Sequence, residues 1–345
     1  MPANLTADYR KAEAAFRQAG EPAERLACLK EMLRTIPKHK GTDHLQADIK
    51  TRIKELTEEL AGPGKGAIRS GPVHTVRADG AAQIALLGPP NSGKSSLHAR
   101  LTGSKTGIGP YPLTTHEPVP GMLPHEDMHL QLVDLPAISA DFIEPWIVNA
   151  LQPADGAMLV VDIADPDCVE QVPAILEQLE SRKVLLLERW PGLAEDRLAA
   201  DQPPDEKAFD PFRIELPTIL VANKNDLDPE PDDVRILEEL LDVAYPTIGC
   251  SAQTGAGCGD IAPLLFRALD IVRVYTKSPG KPFERDKPFT VRRGDTIHDV
   301  ASLVHKDFAQ KLRYARVWGD GVFDGQQVGP DHRVSDGEIV ELHLR

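Results

Sequence analysis

The stretch that most constrains the fold of this chain runs from Gly88 to Ser96 and reads GPPNSGKSS. It follows the apolar run QIALL, precedes a helical pattern, and fits G-x-x-x-x-G-K-[ST]. The glycines of such a loop let the backbone wrap tightly, so that successive N–H groups point at phosphate oxygens. A strand, this loop and a helix in that order predict a P-loop α/β domain.

The polar residues of the loop each have a chemical reason to be there. Lys94 brings positive charge to the β- and γ-phosphates, and the hydroxyl of Ser95 is a ligand for Mg²⁺. We therefore expect a nucleoside-phosphate site whose loop residues are Gly88, Pro89, Asn91, Ser92, Gly93, Lys94, Ser95 and Ser96.

The segment NKND, at the end of the apolar run TILVA, predicts which base is bound. The carboxylate of Asp226 can accept hydrogen bonds from N1–H and the N2 amine of guanine, whereas adenine would leave that buried charge unpaired. Asn223 would tie this segment to the phosphate loop, and the stem of Lys224 would cover the base. Later in the chain, Ser251 and Ala252 lie in CSA, where the N–H of Ala252 would contact guanine O6. These motifs together favour GTP over ATP.

Short apolar runs alternate with helical patterns through the middle of the chain. They read LQLVDLP, GAMLVVDIAD, VLLLE, TILVANK and TIGCSA. Continuous apolar strands of this kind are typical of a mostly parallel sheet that helices cover on both faces. We assign this α/β domain to residues 81–277.

The segments on both sides of the α/β domain have different residue patterns. Residues 1–62 show two apolar stripes at helical spacing around the breakers Pro37 and Gly41, which predicts an antiparallel helical hairpin. Residues 63–80 form a linker rich in glycine and proline. Residues 278–345 read as strand, turn, helix and three short strands, which predicts a compact α+β module.

Charge and cysteine content narrow the class of protein further. The net charge of −14 is carried by residues 76–280, with 15 Lys and Arg against 32 Asp and Glu; residues 1–75 have 13 against 10, and residues 281–345 have 11 against 11. If the chain has a surface that contacts RNA, we expect it at the two ends, and we expect no contact with DNA. The chain has no run of 18 apolar residues, and its four cysteines form no C-x-x-C pair. We expect a cytoplasmic protein without a membrane span.

With these motifs in place, the chain resembles the Obg-type translational GTPases, and within them the developmentally regulated GTP-binding (DRG) proteins. YPLTTHEPVPG, residues 111–121, is similar to the first switch of that subfamily. VYTKSPGKPF (274–283) and the segment from Tyr314 to His343 resemble its C-terminal TGS domain, which has a β-grasp-like fold. The basic helical hairpin is also similar. The resemblance covers most of the chain.

The resemblance implies further roles. Asp134 would hold the water shell of Mg²⁺, and Thr115, with Thr114 as the alternative, would ligate the ion from the first switch. Asn91 matches the asparagine with which potassium-dependent GTPases hold K⁺ against the phosphates; the alternative is that it only satisfies the loop backbone. The implied cofactors are GTP or GDP, Mg²⁺ and K⁺. The implied activity is slow hydrolysis of GTP, and the implied partner is the ribosome, its RNA or a bound factor.

The chain departs from the family at two places. Ala137 stands where the Asp-x-x-Gly motif ends in glycine, and Ile138 replaces the glutamine that orients water in other GTPases. If the second switch needs a positive φ at Ala137, alanine is strained there by roughly 1 kcal/mol or more; if φ stays negative, its N–H can still contact the γ-phosphate. The other departure is a short acidic insertion at about 188–216, in place of a larger lobe.

Two hypotheses remain open from the sequence. The first is a GTP hydrolase that acts as a switch in translation. The second is a nucleotide-gated scaffold with negligible turnover, docked through the helical hairpin and the TGS module; a metabolic kinase is a more distant alternative. A basic face of the TGS module for RNA would comprise Arg292, Arg293, Lys306, Lys311, Arg313 and Arg316, with Tyr314 and Trp318 for stacking.

Overall fold

A computed structural model describes most of the chain: residues 6–19, 22–37, 42–61, 74, 76–104, 117–193, 212–227, 233–280, 283 and 287–344. The chain divides into two compact units. One comprises Met1–Val73 with Gln202–Arg213, and the other comprises His74–Asp201 with Ile214–Arg345.

The first unit is helical. Its helices are α1 (Ala7–Gln18), α2 (Pro22–Thr35) and α3 (Asp43–Ala61). Helices α2 and α3 correspond to the predicted hairpin, and α1 is an additional helix that packs on α2. The core of the unit consists of Tyr9, Ala12, Leu29, Met32, Ile36, Ile49 and Phe212.

Phe212 belongs to the end of the acidic insertion. Its ring lies edge-on to that of Phe16, with centroids 6.2 Å apart, and the guanidinium of Arg52 lies 4.3 Å from its centroid. The insertion therefore contributes an apolar residue to the core of the helical unit. Residues 194–211, most of the predicted insertion, lie outside the described part.

The second unit contains the predicted α/β sheet. Its strands are β1 (Gln83–Leu87), β2 (Val119–His125), β3 (Met128–Asp134), β4 (Gly156–Asp162), β5 (Val184–Leu187), β6 (Ile214–Asn223) and β7 (Thr247–Gly249). The order is β2-β3-β1-β4-β6-β5, with β7 paired to β6. All pairings are parallel except that of the edge strand β2 with β3. Each predicted apolar run is one of these strands.

Helices cover both faces of this sheet. They are α4 (Lys94–Thr102), α5 (Ile147–Leu151), α6 (Cys168–Glu180), α7 (Asp233–Leu241) and α8 (Ile261–Ala268). One apolar core lies between the sheet and α5, α6 and α7, and the other lies between the sheet and α4 and α8. The predicted fold class is therefore confirmed.

The C-terminal module is a second sheet with two short helices. Its strands are β8 (Ile271–Thr276), β9 (Phe289–Arg292), β10 (Leu312–Trp318), β11 (Gln326–Val328) and β12 (Glu338–Leu344), in the order β11-β10-β12-β8-β9. Helices α9 (Ile297–Val304) and α10 (Lys306–Lys311) lie between β9 and β10. Because β8 pairs with β12 and β9, the module begins at Ile271 and not at the predicted residue 278.

Both ends of the predicted insertion at about 188–216 differ from the sequence expectation, because residues there belong to the α/β domain. Trp190, placed in the predicted insertion, is buried in the α/β domain, where its indole N–H donates to the carbonyl of Thr218 at 3.0 Å. Strand β6 begins at Ile214, within the predicted insertion. In the described part of the chain, no helix combines the length and the apolar character that crossing a bilayer requires.

Candidate nucleotide-binding site

The loop between β1 and α4 has the backbone geometry of a phosphate cradle. Gly88 has a φ of 147°, and a Cβ added there would lie 2.1 Å from the carbonyl oxygen of Val160. Gly93 has a φ of 88°, and its added Cβ would lie 2.2 Å from Nδ2 of Asn223. Any side chain at either position would clash, so the path of the loop depends on both glycines.

The side chain of Lys94 is buried within the phosphate loop. Its ammonium donates to the carbonyl oxygens of Gly88 at 3.0 Å and Pro89 at 2.9 Å. Burial lowers the pKa of Lys94 to about 8, while the charge of Asp134 acts in the opposite direction. The loop therefore holds a cation that is poorly solvated, and a bound phosphate would replace the lost hydration.

The two residues expected to organise Mg²⁺ are in contact. The hydroxyl of Ser95 donates to Oδ2 of Asp134 at 2.6 Å, and Asp134 ends β3 and is buried. A hydroxyl and a carboxylate beside a phosphate cradle form an all-oxygen donor set, which suits Mg²⁺. The residues present thus fit the ion.

Asn223 joins the phosphate loop to the loops expected to read the base. Its Nδ2 donates to the carbonyl of Ser92 at 2.8 Å, and its Oδ1 accepts the N–H of Ala252 at 3.0 Å. The side chain is 1% exposed, so both bonds are shielded from water. The link predicted from the sequence is present, and it extends to Ala252, whose N–H is expected at guanine O6 and here donates to Asn223.

Asp226 has an unsatisfied carboxylate oxygen at the expected guanine site. Its Oδ1 is buried and has no hydrogen-bond partner among the described residues. A buried, unpaired carboxylate oxygen is costly, and a ligand with N–H donors would remove that cost. The position therefore fits the N1–H and N2 amine of guanine.

The other base-site residues are held by local bonds. The ammonium of Lys224 pairs with the carboxylate of Asp162 at 2.5 Å. The sequence motifs do not include Asp162. Ser251 is buried, and its Oγ accepts the N–H of Thr254 at 3.0 Å. Asp162 ends β4, so the shared carboxyl edge of two parallel strands was a usable signal for this pair.

Ala137 and Ile138 show how the altered switch motif is accommodated. The φ of Ala137 is negative, so alanine is not strained there. The N–H of Ile138 donates to the carbonyl of Gly88 at 3.1 Å, and its side chain is fully buried in the core of the α/β domain. Ile138 therefore anchors the segment beneath the phosphate loop and presents no side chain to water.

Because Ala137 is unstrained, restoring the family glycine is expected to change little. Ala137→Gly should alter the dissociation constants for GTP and GDP by less than about fivefold, since glycine mainly adds backbone entropy of roughly 0.5–1 kcal/mol. Competition against a fluorescent GDP analogue measures both constants. A gain of tenfold or more in GTP affinity alone would show that Ala137 blocks the GTP-bound conformation.

The remaining predicted site residues lie in the phosphate loop, at the start of α4 and in the first switch. Asn91 is exposed at the apex of the loop with a φ of 62°, a conformation that asparagine adopts more readily than most residues. Ser96 is half-buried in the first turn of α4. Thr115 and Thr114 lie outside the described residues.

The predicted basic face of the C-terminal module is split. Arg292 pairs with Asp155 at 2.9 Å and Arg293 pairs with Asp270 at 2.8 Å, so both turn toward the α/β domain. Lys311, Arg313 and Arg316 remain exposed; the side chain of Lys306 lies outside the description.

The two aromatic residues expected to stack with RNA bases already have ring contacts. Trp318 is half-buried, with the ammonium of Lys277 4.3 Å from its ring centroid. Tyr314 stacks on His343, with centroids 4.4 Å apart. Arg313 and Arg316, on the same strand, are therefore the stronger candidates for a contact with RNA.

Comparisons with known proteins agree with this architecture. Residues 83–189 match the family described as 50S ribosome-binding GTPase, and residues 272–344 match the TGS domain. The second match begins within β8, in agreement with the start of the C-terminal sheet.

Similar proteins span nearly the whole chain. An uncharacterized GTP-binding protein of Methanocaldococcus jannaschii is 27% identical, over 93% of this chain and 93% of its own length. Developmentally-regulated GTP-binding protein 1 of Xenopus laevis is 25% identical, over 90% of this chain and 96% of its own. The crystal structure of a GTP binding protein from Pyrococcus horikoshii OT3 shares the fold, with a TM-score of 0.51 at 15% identity, over 76% of this chain and 100% of that one.

These relatives support the predicted resemblance to the developmentally regulated GTP-binding proteins. The wider resemblance to Obg-type GTPases stays an expectation. With its P-loop, its base-reading loops and its C-terminal sheet in this order, the chain joins a GTPase domain to a TGS domain and is similar over nearly its whole length to developmentally regulated GTP-binding proteins.

Proposed function

We propose that this chain slowly hydrolyses GTP to GDP and phosphate and acts as a switch on the ribosome in the cytoplasm. The observation that carries the hydrolysis proposal is the pair of Ser95 and Asp134, in contact at 2.6 Å beside the phosphate loop. This pair brings an oxygen donor set for Mg²⁺ to the place where the β- and γ-phosphates would bind.

The residues of the chain divide the work of the reaction. Lys94 and the loop N–H groups bind the phosphates and offset the charge that develops on them in the transition state. Mg²⁺, held by Ser95 and Thr115 and through water by Asp134, would neutralise the same charge. The backbone carbonyl of Thr115 would orient the attacking water, because Ile138 is buried and has no group to offer it.

The position of Asn91 supports a second cation. It lies exposed at the apex of the phosphate loop, where its amide oxygen is available to a monovalent ion beside the bound phosphates. K⁺ at that place would supply positive charge where other GTPases use an arginine. The proposal therefore includes stimulation of the reaction by potassium.

Phosphate release from GTP tests the hydrolysis proposal. Purified chain in potassium buffer with Mg²⁺ should release phosphate over many turnovers, and excess EDTA should stop the release. Ser95→Ala, which removes one ligand of the ion, should require a higher Mg²⁺ concentration for half-maximal release. Release that is insensitive to both EDTA and Ser95→Ala would contradict the proposed role of the ion.

The proposed contact with ribosomal RNA is supported by the exposed residues Lys311, Arg313 and Arg316 of the TGS domain. Sedimentation with ribosomes at rising salt tests it, because contacts with phosphates weaken as salt concentration rises. Replacing the three residues by alanine should lower the salt concentration at which binding is lost. Arg292→Ala is the matched control, because Arg292 is paired with Asp155. Absence of binding at low salt would reject the partner.

The burial of Ile138 also favours a second candidate function. A switch segment pinned in the core, with no water-orienting side chain after Ala137, is consistent with a scaffold gated by bound nucleotide and with negligible turnover. The helical hairpin and the TGS domain would then dock a partner. Tight GTP binding with no phosphate release, alone and with ribosomes, would favour this candidate.

A further inference from the structure

Arg100 connects the helix of the phosphate loop to the loop expected to read guanine. It lies on α4, and its Nε donates to the carbonyl oxygen of Ala252 at 3.0 Å. A second guanidinium N–H donates to the carbonyl of the next residue, Gln253. One planar side chain thus contacts two successive carbonyls of the same loop. No motif of the sequence includes Arg100.

These bonds constrain the residue whose N–H is proposed to contact guanine O6. Ala252 is held on one side by Asn223, whose Oδ1 accepts its N–H, and on the other by Arg100, which binds its carbonyl. Asn223 and Arg100 are both tied to the phosphate loop, the first through Ser92 and the second through α4. The direction of the Ala252 N–H is therefore fixed relative to the phosphate site.

We propose that Arg100 is a positioning residue for guanine recognition, because it holds the backbone of Ala252 in place, so that guanine O6 would share the N–H that here donates to Oδ1 of Asn223. The inference rests on the proposed contact of Ala252 with the base. It adds a residue that acts through the loop and does not touch the nucleotide.

Loss of the positive charge of Arg100 is a competing explanation for weaker nucleotide binding by an Arg100 variant, since any cation near the phosphates strengthens their binding. Arg100 lies six residues after Lys94, which is about 9 Å along the helix axis. At physiological ionic strength the screening length is about 8 Å, and Arg100 is exposed, so its effect on the phosphates is largely screened. Arg100→Lys separates the two explanations, because lysine keeps the charge and loses the fork that binds both carbonyls.

The test compares three diphosphates that differ only in the base. In 6-thioguanosine diphosphate, sulfur replaces O6 with a weaker acceptor, while both donors to Asp226 remain. Inosine diphosphate keeps O6 and lacks the N2 amine. The preference for GDP over the thio analogue thus reports the Ala252 contact, and the preference over inosine diphosphate reports the Asp226 contact. Competition against a fluorescent GDP analogue gives all three affinities.

We expect Arg100→Ala and Arg100→Lys each to reduce the preference for GDP over 6-thioguanosine diphosphate by about fivefold, the effect of one hydrogen bond. The preference over inosine diphosphate should stay within about twofold of wild type, because Asp226 is unaffected. Arg182→Ala is the matched control, since the guanidinium of Arg182 bonds to the neighbouring Gln178 and Ser181; it should change neither preference.

Three results would overturn the inference, and they are distinguishable. If wild type shows no preference for GDP over the thio analogue, the Ala252 contact itself fails, and the role of Arg100 fails with it. If wild type shows the preference and both Arg100 variants keep it, Arg100 does not position the loop. If both preferences fall by the same factor, the variants loosen the whole site.

Discussion

Asp226→Asn is expected to lower the affinity for GTP roughly a thousandfold, because it removes charge-assisted hydrogen bonds to two donors of guanine. The same change should create affinity for XTP, the xanthine nucleotide. Xanthine carries an oxygen at C2, to which the new amide can donate, and an N1–H, which the amide oxygen can accept. Competition of GTP and XTP against a fluorescent GDP analogue measures both effects.

The prediction depends on the buried, unpaired Oδ1 of Asp226. Asp167→Asn is a matched control: Asp167 is exposed, its side chain forms no cap hydrogen bond at the start of α6, and the change removes the same charge. The control should bind GTP within about twofold of wild type. If Asp226→Asn binds GTP as the control does, guanine is read elsewhere.

Arg273→Ala is expected to destabilise the GTPase and TGS domains by about 2–3 kcal/mol, because it leaves acidic groups facing each other without a cation. Arg273 lies on β8 and is 16% exposed. Its guanidinium pairs with Glu126, with Asp127 at 3.3 Å and with Asp336 at 2.8 Å. The guanidinium also lies 5.1 Å from the ring centroid of Phe266 on α8.

Denaturant unfolding followed by tryptophan fluorescence measures the effect. Arg293→Ala is the matched control, because Arg293 pairs with the single carboxylate of Asp270 and is 47% exposed. The control should cost less than about 1 kcal/mol, as exposed ion pairs do. Equal midpoints for the two variants would mean that Arg273 does not hold the TGS domain to the β2–β3 hairpin.

The parts of the fold that the sequence predicted have local signals. The loop from Gly88 to Ser96 and the apolar runs of the sheet are each contiguous, so motif and periodicity were sufficient to identify them. The prediction failed where the deciding contact is distant in sequence. The predicted acidic insertion includes Trp190, but its indole N–H is bonded in the core to the carbonyl of Thr218, which lies beyond the insertion.

The candidate site follows the same division. Asn223, Asp226 and Ser95 belong to motifs: Asn223 bonds to the phosphate loop, Ser95 bonds to Asp134, and Asp226 keeps a buried, unpaired carboxylate oxygen. The roles of Arg100 and Arg292 have no local signal in the sequence. Arg100 acts on a loop more than 150 residues away. Arg292 was expected to be free for RNA, and its pairing with the distant Asp155 depends on how the TGS domain folds against the sheet.

The effect of Ala137 in the altered switch motif depends on the sign of its φ angle. The sequence is compatible with either sign. The structure has a negative φ at Ala137 and buries Ile138, so Ile138 anchors the segment as an apolar group. The structure therefore accommodates Ala137 without backbone strain and uses Ile138 as a core residue.

GTP turnover by the purified chain, with potassium and with sodium at equal ionic strength, tests the central claim most directly. We predict phosphate release in both salts and several-fold faster release in potassium. Asn91→Ala should lose the stimulation, while Ala137→Gly, which leaves Asn91 in place, should keep it. Tight GTP binding without phosphate release in either salt, with or without ribosomes, would contradict the claim that this chain is a GTP hydrolase.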